Sequence, residues 1–267
     1  MTNSHKSARK LMLALAVSLA VIVAYSASSV AHFQIVLPSD DLIEEGESNV
    51  IQLQLIFTHP AEASHTMDMA KPATFGVYHK EKAHDLTGAL QEFEFRGARA
   101  WRTEYTARGA GDFVFYLAPA PYYEAMEDAY ITQYAKVVVN SAGFPTDWDA
   151  ELGLEAEIVP LAKPYGLWTG NVFQGIVKYK GQPVPFAEIE VERLNAEAFT
   201  DFAGLGQSYP SDAHITQVIK ADSNGVFTFG IPKAGWWGFA ALMEGDSYEG
   251  KDQEVGAVIW IKVYDME

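Results

Sequence analysis

The sequence predicts an all-β protein in which two β-sandwich domains follow a cleaved signal peptide. Three observations support this. The chain opens with a basic segment and an apolar run, segments that alternate apolar and polar residues recur from residue 50 onward, and glycine and proline mark turns between them. The predicted boundaries are 1–31 for the signal peptide, 32–165 for the first sandwich and 166–267 for the second.

The first segment has the three parts of a secretory signal. Residues 1–10 carry three basic side chains and no acidic one, residues 11–24 are predominantly apolar, and Ser29 and Ala31 place small residues before the cleavage point. Cleavage after Ala31 would release a periplasmic protein that begins at His32. An uncleaved anchor is the weaker alternative, because the apolar run is shorter than the ~20 residues that a membrane span needs.

Composition limits the partners. The chain has 19 Lys and Arg against 35 Asp and Glu, a formal net charge of −16, which argues against a nucleic-acid partner and suits a divalent cation. There is no cysteine, so any metal must be held by nitrogen, oxygen or thioether ligands. After the signal we expect no membrane span and no tether following Val263, so that the mature chain acts free in the periplasm.

The first predicted sandwich contains a clear half-buried strand. Residues 50–57 (VIQLQLIF) alternate in polarity, and the same alternation places His59 on the core side just as Pro60 ends the strand. Further strands are predicted at 73–79, 101–106, 112–117 and 133–139.

Metal-binding residue types gather near this strand. As a mature N-terminus, His32 offers its α-amine and imidazole Nδ1 to one ion. His65, Met67 and Met69 occupy every second position, so an extended backbone points all three to one face. Imidazole and thioether donors favour late first-row transition metals. The alternative is that both methionines fill the core and that His65 is a loop residue.

The sequence predicts another all-β unit in the second half of the chain. Residues 141–168 are rich in Gly, Pro and acidic residues and are the predicted connection. Strong alternation resumes at 172–179, and Asp222-Ser-Asn-Gly225 is a turn with a glycine available for positive φ. The other strands are predicted at 187–191, 214–221, 226–231, 238–243 and 255–263, with His214 beginning one of them.

Four short motifs stand out in this half. They are G-x-V at 175–177, G-x-P-V-P-x-A-x-I-x-V at 181–191, A-D-S-N-G-V-F-T-F at 221–229 and A-G-W-W-G-F at 234–239. With these motifs the half resembles the transthyretin-like, or carboxypeptidase-regulatory-like, β-sandwich, which implies an Ig-like fold for residues 166–267.

Three motifs of the first half extend the resemblance over nearly all of residues 32–267. They are Ala31-His-Phe, Phe57-Thr-His-Pro and Met67-Asp-Met-Ala-Lys-Pro. With them the chain is similar to a periplasmic family that accompanies energy-coupling-factor cobalt and nickel uptake systems. The resemblance implies a metal-binding accessory that carries Ni²⁺ or Co²⁺ to a membrane permease. Residue by residue, it implies the ligands His32, His59, His65 and Met67.

Three other functions stay open. A periplasmic copper chaperone or resistance protein would use Met67 and Met69 for Cu(I). A copper-dependent oxidative enzyme would use His32 and a second histidine as a brace around the ion. An adhesive sandwich would bind no metal. Because we find no G-x-S-x-G, H-E-x-x-H, P-loop or dinucleotide motif, a non-enzymatic protein is expected. Whether Met69, His79, His84 or His214 joins the site is left open.

Overall fold

A computed structural model of the chain describes residues 32–61, 65–196, 199 and 209–266. The predicted signal peptide, residues 1–31, lies outside the described residues. Within them the chain forms strands and two short 3₁₀ turns, Thr87–Ala89 and Asp212–His214. The strands are β1 (Phe33–Pro38), β2 (Leu42–Ile43), β3 (Val50–Thr58), β4 (Thr74–His79), β5 (Lys82–Asp85), β6 (Gln91–Phe95), β7 (Ala98–Thr106), β8 (Gly111–Ala118), β9 (Tyr122–Glu124), β10 (Ala129–Ser141), β11 (Ala156–Pro160), β12 (Leu167–Trp168), β13 (Val172–Tyr179), β14 (Gln182–Pro183), β15 (Glu188–Arg193), β16 (Gln217–Lys220), β17 (Val226–Gly230), β18 (Gly235–Glu244) and β19 (Gln253–Tyr264).

These strands form three sheets, and the predicted all-β sandwich class is confirmed. One sheet has the order β1-β3-β7-β6, and another has β11-β13-β14 with β17 beside β13. The third contains eleven strands along the path β16-β15-β18-β19-β10-β8-β4-β5, with β12 on β19 and β2 and β9 on β10. Each small sheet packs on part of this large one.

Aromatic side chains fill both interfaces. In the first, the rings of Phe33 from β1 and Trp260 from β19 lie 5.8 Å apart, and Nε1 of Trp260 donates to the carbonyl of Gln34 at 3.0 Å. In the second, Phe227 from β17 stacks on Phe239 from β18 at 5.6 Å. Burial of such rings is the main apolar contribution to a sandwich core.

The large sheet links the two halves of the chain through a parallel pair. Residues 130–137 of β10 pair with residues 253–260 of β19. The sheet therefore contains strands from both sides of the predicted boundary at residues 165 and 166, and His32–Glu267 form one compact unit. The predicted connection at 141–168 includes β11, which pairs with β13.

All predicted strands are present, and the structure adds short strands that we did not predict. These are β1, β2, β5, β6, β9, β11, β12 and β14, which have two to six residues each and therefore show little alternation. One prediction is wrong: His214 does not begin a strand. It ends the 3₁₀ turn, where its N–H donates to the carbonyl of Ser211 at 3.0 Å, and β16 starts only at Gln217. No helix in the described ranges is long and apolar enough to cross a membrane.

Candidate metal centre

Strand register brings three histidines into one row. β1 and β3 are antiparallel with Phe33 opposite Thr58, so the next pair along the ladder is His32 and His59. On the other edge of β3, Thr58 forms a bridge with Thr66, which places His65 opposite His59. Residues directly opposite each other on neighbouring antiparallel segments have Cβ atoms about 5 Å apart on the same face. His59 therefore lies between His32 and His65.

The ring positions agree with this register. The imidazole centroids of His32 and His59 are 4.9 Å apart, and those of His59 and His65 are 5.5 Å apart. The segment that carries His65 is held by two further hydrogen bonds. The Thr58 hydroxyl donates to the carbonyl of His65 at 2.9 Å, and the N–H of Met67 donates to the carbonyl of Phe57 at 2.9 Å.

The three histidines differ in exposure, and the central one is the most buried. His65 is exposed, the His32 side chain is 15 % exposed, and His59 is 7 % exposed. Nε2 of His59 is buried and has no hydrogen-bond partner among the residues that the structure describes. Buried polar atoms are nearly always paired, and this nitrogen is one of several exceptions in the described residues, which include Oδ1 of Asn140 and the hydroxyl of Tyr179.

Burial also favours the neutral form of the two more buried imidazoles, those of His32 and His59. It lowers the pKa of His59 to about 4, with the neighbouring His32 and His65 acting in the same direction. Burial lowers the pKa of His32 as well, against the opposing effect of Glu124 and Glu127. A neutral imidazole keeps a free lone pair, which is the form that binds metals.

A buried glutamine fixes the backbone at His32. Gln133 from β10 is 2 % exposed; its Nε2 donates to the carbonyl of His32 at 2.7 Å and its Oε1 accepts from the N–H of Gln34 at 2.9 Å. The side-chain amide thus bonds to β1 as a neighbouring strand would. Residue 32 is held in place by hydrogen bonds on one side and by the β3 ladder on the other.

Sequence reasoning missed Glu124. This residue ends β9, is 7 % exposed, and brings its Oε2 to 3.6 Å from Nε2 of His32. β9 is held over the row by the ring of Tyr122, which lies 5.4 Å from that of Phe57. No local motif marks Glu124, since its place depends on pairing between β9 and β10 and on packing against a distant strand.

The two methionines are buried in different surroundings. Met67 is 2 % exposed and, by register, lies opposite Phe57, one row along the same face from His59 and His65. Met69 is 4 % exposed, and its sulfur accepts from Nε2 of Gln34 at 3.5 Å. The register thus places Met67 next to the row.

The remaining histidines of the described chain lie elsewhere. His79 stacks on Phe113 at 4.0 Å, and its Nδ1 is 2.7 Å from the carbonyl of Asp112. His84 is exposed on β5, and His214 is exposed with Nδ1 2.9 Å from Oγ of Ser211.

The potential metal donors are close together but do not converge on one point. In the described part of the chain, no group of three or more His, Asp or Glu side chains is arranged to hold a metal ion as it stands. The geometry consists of neighbouring pairs along a row. Rotation of the rings about their side-chain bonds, and the free amine that cleavage after Ala31 would create, are needed to bring the donors onto one ion.

Comparison with known proteins identifies a family without a known function. The family described as Domain of unknown function (DUF4198) matches residues 29–245. A search of curated proteins finds no match.

Solved structures with some likeness include domains of intimin, an adhesin and titin. The D0-D1 domain of intimin is 11 % identical with a TM-score of 0.24, and the match covers 87 % of this chain and all of that one. The adhesin InvE of Yersinia pseudotuberculosis is 12 % identical with a TM-score of 0.23, over 85 % of this chain and 58 % of that one. Titin Ig tandem domains are 10 % identical with a TM-score of 0.21, over 88 % of this chain and all of that one. Similarity this low carries no functional argument.

Proposed function

The chain belongs to the DUF4198 family, and we propose that this member is a periplasmic protein that binds nickel or cobalt and delivers the ion to a membrane uptake transporter. The observation that carries the proposal is the row of His32, His59 and His65 with the unpartnered Nε2 of His59 at its centre. Leaving a buried polar atom unpaired costs about 1–3 kcal/mol. A bound ion would supply the missing partner.

The donor set suits these ions. Three imidazoles are intermediate ligands that Ni²⁺ and Co²⁺ accept in tetragonal or octahedral arrangements. If export removes residues 1–31, the α-amine of His32 becomes a further nitrogen donor on the same residue as its imidazole. The surrounding chain carries a formal charge of −16, which attracts cations.

The different exposures of the three histidines support reversible binding. His65 is exposed and can meet an ion from solvent, His32 is partly buried, and His59 is enclosed. An ion held by donors on separate segments can be released one ligand at a time. A protein that hands its ion to a permease needs such stepwise release, and we propose no catalytic step of its own.

Copper is the second candidate, and Met67 favours it. The register places this buried methionine beside the histidine row, and a thioether is a soft ligand that prefers Cu(I). In that case the protein would be a periplasmic copper chaperone or resistance protein. Competition between the ions separates the two functions.

The test is a calorimetric titration of Ni²⁺, Co²⁺ and Cu²⁺ into protein that begins at His32 and into protein with one extra N-terminal residue. We expect one tight site in the first and at least ~1.4 kcal/mol weaker binding, about tenfold, in the second. His84→Ala, which changes an exposed histidine on β5, is the control and should bind normally. Tight binding of copper alone would favour the chaperone; absence of any stoichiometric metal would refute both.

Export is tested separately. N-terminal sequencing of protein recovered from the periplasmic fraction of a bacterial host should read His32 as the first residue. A different first residue would remove the terminal amine from the site, and retention in the membrane fraction would contradict a free periplasmic carrier.

A further inference from the structure

Glu124 is a buried carboxylate beside the histidine row. Its residue exposure is 7 %, and its Oε1 accepts the N–H of Met126 at 3.0 Å, which orients the carboxylate within the β9 hairpin. Among the described residues, His32 is the basic side chain that lies within 4.0 Å of it. No lysine or arginine of the described chain lies that close to balance its charge.

The distance between the two groups is too long for a hydrogen bond and suited to a shared ion. Oε2 of Glu124 and Nε2 of His32 are 3.6 Å apart, beyond the range of an N–H···O bond. Two donors that are each about 2.1 Å from one metal ion lie at most about 4.2 Å apart. An ion can therefore contact both atoms without moving the backbone of β1 or β9.

We infer that Glu124 binds the ion through its carboxylate together with His32, His59 and His65, and that it makes the site selective for divalent nickel or cobalt over Cu(I). This inference rests on the proposed function and names a ligand of the same site. Tyr122, two residues earlier, packs on Phe57 and so fixes β9 over the strand that carries His59.

Charge and ligand softness give the selectivity. Neutral imidazoles leave the full charge of a divalent ion unbalanced, and one carboxylate offsets half of it. A carboxylate is a hard ligand, whereas Cu(I) prefers thioether and thiolate donors. A site completed by Glu124 therefore gains more with Ni²⁺ or Co²⁺ than with Cu(I), and Met67 then serves as packing beside the row.

The test compares Glu124→Gln with Glu127→Gln. Both remove one negative charge from the same hairpin, and both residues influence His32 electrostatically, but Glu127 is exposed. Ni²⁺ and Co²⁺ affinities are measured by calorimetry, and Cu(I) affinity by competition with a chromophoric chelator. We expect Glu124→Gln to weaken Ni²⁺ and Co²⁺ binding about tenfold or more and Cu(I) binding by less than about twofold. Glu127→Gln should weaken Ni²⁺ by less than about threefold, an effect that salt removes.

Further variants keep the outcome decisive. Glu124→Asp retains the charge but withdraws the carboxylate, and it should also weaken Ni²⁺ and change the visible spectrum of bound Co²⁺, while Glu127→Gln leaves that spectrum unchanged. Equal effects of Glu124→Gln and Glu127→Gln, or a larger loss of Ni²⁺ from Met67→Leu, would overturn the role of Glu124 while leaving the carrier function standing. A wild-type protein that binds neither ion would refute the proposed function itself.

Discussion

Two buried polar clusters of this protein are built in opposite ways. Lys136 and Glu157 form an ion pair with 2.6 Å between Nζ and Oε1, and both side chains are 2 % exposed. Backbone N–H groups of Leu152 and Gly153 donate to the same carboxylate at 2.8 and 3.0 Å. In the histidine row, by contrast, the buried Nε2 of His59 has no partner within the described part of the chain.

The two clusters differ in how completely their polar atoms are paired within the fold. The polar atoms of the Lys136–Glu157 pair bond within the fold, where they join β10 to β11 and to the segment before β11. Such a pair is costly to break because a lone buried charge remains. In the histidine row, the unpaired Nε2 of His59 is available to a ligand of the kind that we propose.

The largest expected effect is on the ion pair. Lys136→Met leaves the Glu157 carboxylate buried without its cation, so we expect the free energy of unfolding to fall by about 3–5 kcal/mol. Urea unfolding measures this. The double variant Lys136→Met with Glu157→Gln removes the uncompensated charge and keeps one oxygen acceptor for the N–H groups of Leu152 and Gly153, so it should recover part of the loss. Equal stability of Lys136→Met and wild type would show that the pair is dispensable.

His59→Leu should have the opposite pattern, with a large loss of metal affinity and little loss of stability. Removing the central donor is expected to weaken Ni²⁺ binding about a hundredfold, ~2.7 kcal/mol. Because the leucine also removes an unpaired buried nitrogen, the apo protein should unfold at the same free energy or up to ~1 kcal/mol higher. Calorimetry and urea unfolding in the presence of a chelator give the two values. A strongly destabilised variant with intact binding would mean that His59 is a structural residue after all.

The features that the sequence predicts are those that depend on a few neighbouring residues. Alternation in residues 50–57 predicts β3, with Ile51, Leu53 and Leu55 buried and Gln52 exposed, and it places His59 on the core side. The turn at Asp222-Ser-Asn-Gly225 is also confirmed, with φ of 78° at Gly225. Periodicity and turn chemistry act over a few residues, and these features need no more.

The rest depends on distant pairings. Gln133 and Glu124 lie beside His32 because residues 122–133 contact residues 32–34, which are about a hundred positions earlier in the chain. The parallel pairing of β10 with β19 likewise joins the two halves without any local signal. The assignment of His32, His59, His65 and Met67 as ligands stays a prediction.

An intermediate effect on metal affinity is expected at Gln133, which is not a proposed ligand but forms a hydrogen bond to the backbone of His32. Gln133→Ala leaves the carbonyl of His32 and the N–H of Gln34 without their partner. We expect Ni²⁺ binding to weaken about tenfold, as for other groups that orient a metal ligand, with the Co²⁺ spectrum retained because no donor is lost. Gln52→Ala, at an exposed position of β3, is the matched control and should bind normally. Unchanged affinity in Gln133→Ala would show that the ladder with β3 alone positions His32.

The smallest expected effect is at Glu254. This carboxyl group is less completely paired than the Lys136–Glu157 ion pair, but it has a hydrogen bond from Gln133, whereas Nε2 of His59 has none in the described chain. Burial and the nearby Glu127 raise its pKa to about 7, and a hydrogen bond from Gln133 opposes this only partly. A carboxyl whose pKa is higher in the folded state than in the unfolded state, where it is near 4.5, favours folding below pH 4.5 and loses that contribution as the pH rises through 7.

We therefore expect wild type to lose about 1 kcal/mol of unfolding free energy relative to Glu254→Gln between pH 5 and 8, with allowance for partial exposure. Urea unfolding across this range, with a chelator present, measures the difference, and Glu45→Gln at an exposed loop position is the control. A flat difference would mean that Glu254 is ionised as freely as a surface carboxylate. A difference as large as that of Lys136→Met would instead place Glu254 among the groups on which the fold itself depends.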